Sequence, residues 1–482
     1  MKTTLRNLLF AGMALAFSTS ARAQIARFKH VVIIFQENRT PDNLFQGLCV
    51  TASSCSIHPT GNQYNISTRN WLDSRSSGGV IQPQPVPLAS AYDLRHSRAV
   101  WDRQCDTDSN GACKMDGSSE VPCDPISVCN KFPHPQFRFV DNSKGILNSY
   151  LALAKQYGWA NYMFQTNQGP SFPAHQFIFG GTSAPLVNKS VNDDALGIFA
   201  SENPAGTSGP AGCIALAGTT VLVNANTAQV AKAIFPCFEH QTMADLLEKA
   251  TPAISWKYYA PGAGSIWTAP NAIQHICKPD QPTGGKCTGP SWTNNVDLNP
   301  VHVLTDIGNC SLPEVSWVIP SGNNSDHAGI STGGGPSWVS SIVNSIGQNT
   351  ACDGNGYWKD TAILISWDDW GGWYDHEPPP VAVPAGDYQL GFRVPLIVVS
   401  AYTPAGYINN SRLDFGSMLR FVEHNFNLGE GALGFADARA TTDLAPFFNL
   451  NQVPRKFQTV PSLRGAEYFL NDRTPPTDPD DD

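Results

Sequence analysis

HVVIIFQENRTPDNLFQG, residues 30–47, joins a continuous apolar run to an abrupt polar exit. Val31–Phe35 has the length and β-branched content of a strand buried on both faces. It delivers Glu37 and Asn38 to a turn, and a carboxylate beside an amide oxygen at a strand exit suits a hard cation. A second run, Ala362–Ser366, ends in Trp367-Asp368-Asp369-Trp370-Gly371-Gly372. Two such strand ends together would offer three carboxylates and an amide to a single metal site that handles a polyanion. Each segment taken alone also reads as an ordinary turn carboxylate or a solvated acidic pair.

Further apolar runs at Val315–Ile319 and Val394–Ser400 alternate with helical patterns at Ile146–Gln156, Met243–Ala250 and Ser417–Asn425. Short buried strands alternating with helices predict an α/β fold with a central, mostly parallel sheet covered by helices on both faces. In such sheets ligands bind beyond the carboxyl ends of the strands, where Glu37, Asn38, Asp368 and Asp369 would sit. Residues 24–455 read as a single domain with insertions near 48–135 and 189–236. The first insertion carries six cysteines among many Ser, Asn and Pro residues. Residues 456–482 read as a tail whose end, Arg473–Asp482, is Pro- and Asp-rich and expected to be disordered.

The chain opens with Lys2 and Arg6, an apolar core Leu8–Phe17 and Ala21-Arg22-Ala23. This is the pattern of a signal peptide, residues 1–23, cleaved before Gln24, and it predicts export to the periplasm or beyond the cell. The apolar core is too short to span a bilayer, and no later segment is a transmembrane candidate. All 12 cysteines lie after the cleavage site. In an oxidising compartment they would pair. Their spacing suggests Cys49–Cys55, Cys105–Cys113, Cys123–Cys129, Cys213–Cys237, Cys277–Cys287 and Cys310–Cys352, although sequence does not fix connectivity. A zinc framework competes with this reading but lacks paired histidines at finger spacing. A net charge of −9 speaks against nucleic acid as a partner. It leaves small anions open, because a bound cation outweighs the global field locally.

Gly169-Pro170-Ser171-Phe172-Pro173-Ala174-His175 reads as a tight turn feeding a helix, with Pro173 in the first turn. Ser171 is then either a plain helix cap or a hydroxyl held at an anion-binding helix N-terminus. Beside a divalent cation such a hydroxyl could attack phosphorus.

Several segments together resemble the phosphoesterase family of bacterial phospholipases C and acid phosphatases, in the alkaline-phosphatase-like superfamily. They are residues 30–47, DLRHSRAVWD (Asp93–Asp102), KMDG (Lys114–Gly117), GPSFPAHQF (Gly169–Phe177), LPEVSWVIP (Leu312–Pro320) with SDHAG (Ser325–Gly329), ISWDDWGGWYDHEPPP (Ile365–Pro380) and FRVPLIVVSAYTPAGYI (Phe392–Ile408). The resemblance implies that Glu37, Asn38, Asp368 and Asp369 ligate one divalent metal ion (Ca, Mg, Mn or Zn). Ser171 would be the nucleophile, its hydroxyl also counted among the metal's donors. His96 and His327 would contact phosphoryl oxygens or the leaving group. His175, His302 and His376 read as structural, His376 being the first candidate for an exception.

The resemblance implies an enzyme, a phosphoric ester hydrolase acting on a phosphate-ester small molecule or a phospholipid headgroup. Phospholipase C-type cleavage of a phosphodiester competes with acid phosphatase action on monoesters. A secreted binding protein using its 12 tryptophans is the alternative from another class.

Overall fold

The computed structural model describes residues 27–51, 53–206, 209–225, 228–381 and 389–477, so the expected signal peptide lies outside the described residues. The central sheet has eight strands. In chain order they are β1 His30–Gln36, β2 Gly158–Met163, β3 Trp256–Tyr259, β4 Val296–Asp297, β5 Val315–Val318, β6 Thr361–Trp367, β7 Leu396–Ser400 and β8 Tyr407–Leu413. Their spatial order is β4-β3-β5-β1-β6-β7-β2-β8. All neighbouring pairs are parallel except those made by β7, which runs antiparallel to both β6 and β2. The expected α/β architecture with a mostly parallel sheet is therefore what the chain forms. β7 begins at Leu396 rather than Val394, because Pro395 has no N–H to give the ladder.

Every residue of β1, β5, β6 and β7 is buried, so both faces of the sheet centre are covered. Alternation along the strands shows by what. Phe35 packs edge-on against Phe415, the first residue of the helix Phe415–Phe426. Gln36 and its register partner Trp367 point the other way. Trp367 meets Tyr150 of the helix Asn148–Gln156. The Phe415 helix starts at a capping box made by Asp414 and Ser417, two residues before the apolar pattern announces it.

All six disulfides join the cysteines that the spacing paired, with sequence separations from 6 to 42 residues. They staple the insertions and loops that surround the sheet. The short strand Asp93–Leu94 pairs with Cys123–Asp124 inside the first insertion, next to the Cys123–Cys129 bridge.

The tail packs on the domain over its described length, and the stretch expected to be disordered, Arg473–Asp482, lies partly outside the described residues. Val460 is buried and exchanges two hydrogen bonds with Asn344. Phe469 packs on Trp338, and Thr477 accepts from the backbone of Gly322 and Asn323. Residues 478–482 lie outside the described residues.

An ion-pair network on the helix Met243–Lys249 sets an acid-side stability window. His275 bridges Glu239 at 2.8 Å and Asp245 at 3.2 Å. Burial would lower the His275 pKa, but hydrogen bonds to Asp245 and Glu239 outweigh it and push it up to about 9. Burial would raise Asp245, yet hydrogen bonds from His275 and Thr242 hold it at about 2. The raised histidine stabilises fully below its ordinary 6.5, and that contribution fades as pH climbs through about 9. The depressed carboxylate stabilises above its ordinary 3.8 and fades as pH falls through about 2. His275→Gln should therefore lower the melting temperature most between those ordinary values and hardly at all near pH ~10, as thermal melts across pH would show.

Candidate active site

β1 and β6 are parallel neighbours in register, Gln36 opposite Trp367. The residues that follow them must emerge side by side at the carboxyl edge of the sheet. Asn38 turns the chain in the left-handed region (φ 64), and its backbone N–H donates to Asp368 Oδ1 at 3.1 Å. Arg39 N donates to the Asp369 carbonyl at 3.1 Å. The turn after Asp369 uses Gly371 at φ 60, where an added Cβ would lie 2.5 Å from the Asn38 carbonyl oxygen. Only glycine lets the two loops approach this closely.

The helix Ser171–Gly180 points its first residue at this corner. Ser171 is not the cap; Pro170 takes that position without a side-chain bond. Asn203, from the 189–236 insertion, caps in its place by accepting from the Phe172 N–H at 2.9 Å. Ser171 Oγ donates instead to Asp369 Oδ2 at 3.3 Å. The structure thus brings Glu37, Asn38, Asp368, Asp369 and Ser171 together, and all are buried.

His96 joins them from the first insertion. Its Nδ1–H donates to the Leu94 carbonyl at 2.8 Å, which leaves Nε2 to accept from Asn38 Nδ2 at 3.1 Å. That bond orients the Asn38 amide so that Oδ1 faces away from the histidine, and Oδ1 has no hydrogen-bond partner. His96 Nε2 lies 3.9 Å from Asp369 Oδ2. The His327 ring sits 6.0 Å from the His96 ring and likewise anchors its Nδ1, on the Ala328 carbonyl at 2.6 Å. Next to His327, Asp326 accepts from Tyr150 at 2.8 Å and Trp367 at 3.0 Å. Burial pushes its carboxyl up to about 6 despite those bonds and the nearby Arg39.

A reading of the sequence places one residue of the corner, His175, with His302 among the structural histidines. The structure separates them. His302 is half-exposed beside Asp297, whereas His175 is fully buried with Nε2 3.2 Å from Glu37 Oε1 and 3.8 Å from Asp368 Oδ2. Its signal was the spacing: four residues after Ser171 on a helix is the same face.

The electrostatics call for a cation. Burial, and then Asp368, push the Glu37 carboxyl well above the usual range, and the same two causes in the same order act on Asp369. Burial holds His175 down to about 4, so the nearest imidazole is neutral. Glu37 Oε2, Asn38 Oδ1 and Asp368 Oδ2 are buried oxygens without hydrogen-bond partners. Unpaired buried carboxylates are costly unless a proton or cation meets them. Ligand atoms of Glu37, His175 and Asp368 all lie within 4.8 Å of one another, as donors around a single ion do. The donor set fits a divalent metal.

A second acidic cluster sharpens the contrast. Asp42, Asp375 and His376 also converge, but here Arg393 supplies the cation, reaching Asp375 with two bonds of 3.0 Å and Asp42 at 3.5 Å. The Asp42 oxygens also accept from Ser67 N, His376 N and His376 Nδ1. His376, the sequence's first candidate for an exception, is thereby tied into an ion-pair network neutralised by Arg393. Arg393→Met would strand two buried carboxylates, and denaturant unfolding should show a loss of about 3–5 kcal/mol.

Residues 138–429, more than half of the chain, match the phosphoesterase family, and the chain belongs to that family. A non-hemolytic phospholipase C of Pseudomonas aeruginosa is 22% identical over 485 residues, covering 92% of this chain and 60% of the relative. A non-hemolytic phospholipase C of Burkholderia pseudomallei is 30% identical over 145 residues, 25% of this chain and 20% of that protein. The chain thus spans three fifths or less of the length of these relatives. A solved Vibrio parahaemolyticus protein of the alkaline phosphatase superfamily is 10% identical, with 61% of this chain and 64% of that one aligned at a TM-score of 0.33, too low to carry an argument. Among the described residues no helix is long and apolar enough to cross a membrane.

Proposed function

We propose that this chain is an exported hydrolase of phosphate esters, acting on phosphodiesters in the manner of a phospholipase C, with Ser171 as nucleophile. The observation that carries the reading is a hydroxyl 3.3 Å from one carboxylate of a buried cluster in which Glu37 Oε2, Asn38 Oδ1 and Asp368 Oδ2 lack hydrogen-bond partners. A divalent cation held by Glu37, Asn38, Asp368, Asp369 and the Ser171 hydroxyl would neutralise phosphoryl charge and lower the hydroxyl's pKa.

The chain's own groups do the rest. Ser171 Oγ passes its proton to Asp369 Oδ2, its hydrogen-bond partner, and bonds to phosphorus as the bond to the leaving oxygen breaks, while the departing alkoxide takes a proton from the protonated imidazole of His96 or His327. Those imidazoles are oriented for this by their anchored Nδ1–H groups. Water then cleaves the phosphoseryl ester and restores the hydroxyl. Positioning and charge neutralisation dominate, as phosphoryl transfer requires. A binding-only protein has no use for a hydroxyl placed this way. Export is supported by six disulfides with no free cysteine among the described residues.

Hydrolysis of p-nitrophenylphosphorylcholine and p-nitrophenyl phosphate, each with and without chelator, tests the reading. The diester should be cleaved in preference, and chelator should abolish cleavage. Turnover confined to the monoester would make the chain an acid phosphatase. Full activity after exhaustive chelation would sink the metal-assisted reading.

A further inference from the structure

We infer that His175 is itself a ligand of the cation, adding a nitrogen donor that selects a first-row transition dication over calcium. This rests on the reading that the carboxylate corner holds a metal, and it concerns which metal.

The far side of the imidazole fixes its tautomer. Tyr258 has one hydroxyl hydrogen and donates it to the Trp267 carbonyl at 2.9 Å. Toward His175 Nδ1, 3.3 Å away, that hydroxyl can therefore only accept, so Nδ1 carries the ring hydrogen. A neutral imidazole protonated at Nδ1 has its lone pair at Nε2, and Nε2 is the atom facing Glu37 Oε1 at 3.2 Å and Asp368 Oδ2 at 3.8 Å. That lone pair and two carboxylate oxygens converge as donors around a shared cation would arrange them. Tyr258 then stands where the hydrogen-bond partner of a metal-bound histidine stands, fixing the tautomer and the ring plane.

Packing leaves the ring little choice. His175, Tyr258 and Trp267 are all fully buried, and Tyr258 is held between Phe179 and Trp317. The helix that carries His175 also carries Ser171 one turn earlier, so one rigid element presents both the nitrogen donor and the hydroxyl. An all-oxygen site suits calcium or magnesium, whereas imidazole among carboxylates suits manganese, cobalt or zinc, with zinc bound more tightly than manganese at a given site.

The test uses the purified, disulfide-bonded protein, stripped with chelator and reloaded with Ca²⁺, Mn²⁺, Co²⁺ or Zn²⁺. Bound metal is measured by elemental analysis, relative affinity by competition, and the coordination shell by X-ray absorption of the zinc- and cobalt-loaded forms. Imidazole scattering is expected in the wild-type shell, with zinc displacing calcium. His175→Gln should lower zinc affinity at least about tenfold and calcium affinity far less. Absence of imidazole scattering in the wild type overturns the inference, and that measurement stands even if the variant fails to fold. An unchanged zinc-to-calcium ratio in a folded variant overturns it as well. If a dication binds without imidazole, only this inference falls; if no dication binds at all, the reading of the site falls with it.

Discussion

Ser171→Ala is expected to reduce turnover by at least about 10³-fold while leaving the fold in place, with the four remaining ligands still loaded at saturating metal. The change removes one oxygen from a position where it caps nothing: the helix is entered through Pro170 and capped by Asn203. The single bond lost is the one donated to Asp369. Asp369 Oδ1 keeps its bond from the Gly371 N–H at 2.7 Å, so the acidic loop should hold its shape. Circular dichroism and thermal melts should then match the wild type, and phosphate should still protect the metal-loaded variant against heat by mass action. Hydrolysis within tenfold of the wild-type rate would remove the covalent step from the mechanism.

Glu37→Gln should weaken metal binding by at least about 100-fold, because displacing a neighbour of a metal ligand already costs 10–100-fold and this change alters a candidate ligand itself. It should also make the metal-free protein more stable than the wild type. Glu37 shares its buried corner with Asp368 and Asp369, which ion-pair only with histidines among the described residues. Amide for carboxylate keeps the shape and removes one of the mutually repelling charges. A rise of several degrees in the melting temperature of the chelated variant, alongside lost activity, is the expected pairing, since functional sites hold strain that the rest of the fold must offset. A chelated variant that melts below the chelated wild type would mean that Glu37 is a structural residue rather than a ligand.

The sheet centre was legible because β1, β5, β6 and β7 are buried on both faces and must be written in unbroken apolar runs. The outer strands were not, for the opposite reason. β2 reads Gly-Trp-Ala-Asn-Tyr-Met, and its buried Asn161 is tolerated only because it bonds Asn65 N, the Gln63 carbonyl and Asn410. β8 carries Asn, Asn, Ser and Arg with several positions exposed. Polarity satisfied by tertiary partners leaves no periodic trace. The same divide runs through the site. Carboxylates and amides at the ends of apolar strands are local signals, so Glu37, Asn38, Asp368 and Asp369 stood out. The place of His175 depends on Tyr258, 83 residues away, and that of Arg393 on Asp42 across the fold. No stretch of chain contains both members of either pair.

The bridge between Cys123 and Cys129 reaches further than its six-residue loop suggests. It steadies Cys123, whose strand lies against Leu94, and the Leu94 carbonyl is what holds the His96 ring upright. A polypeptide still in its thiol form would have its carboxylates gathered at the sheet edge, yet the imidazole opposite them would hang on an unbraced ribbon. Closure of this one loop by oxidation is thus what braces the ribbon that carries the imidazole.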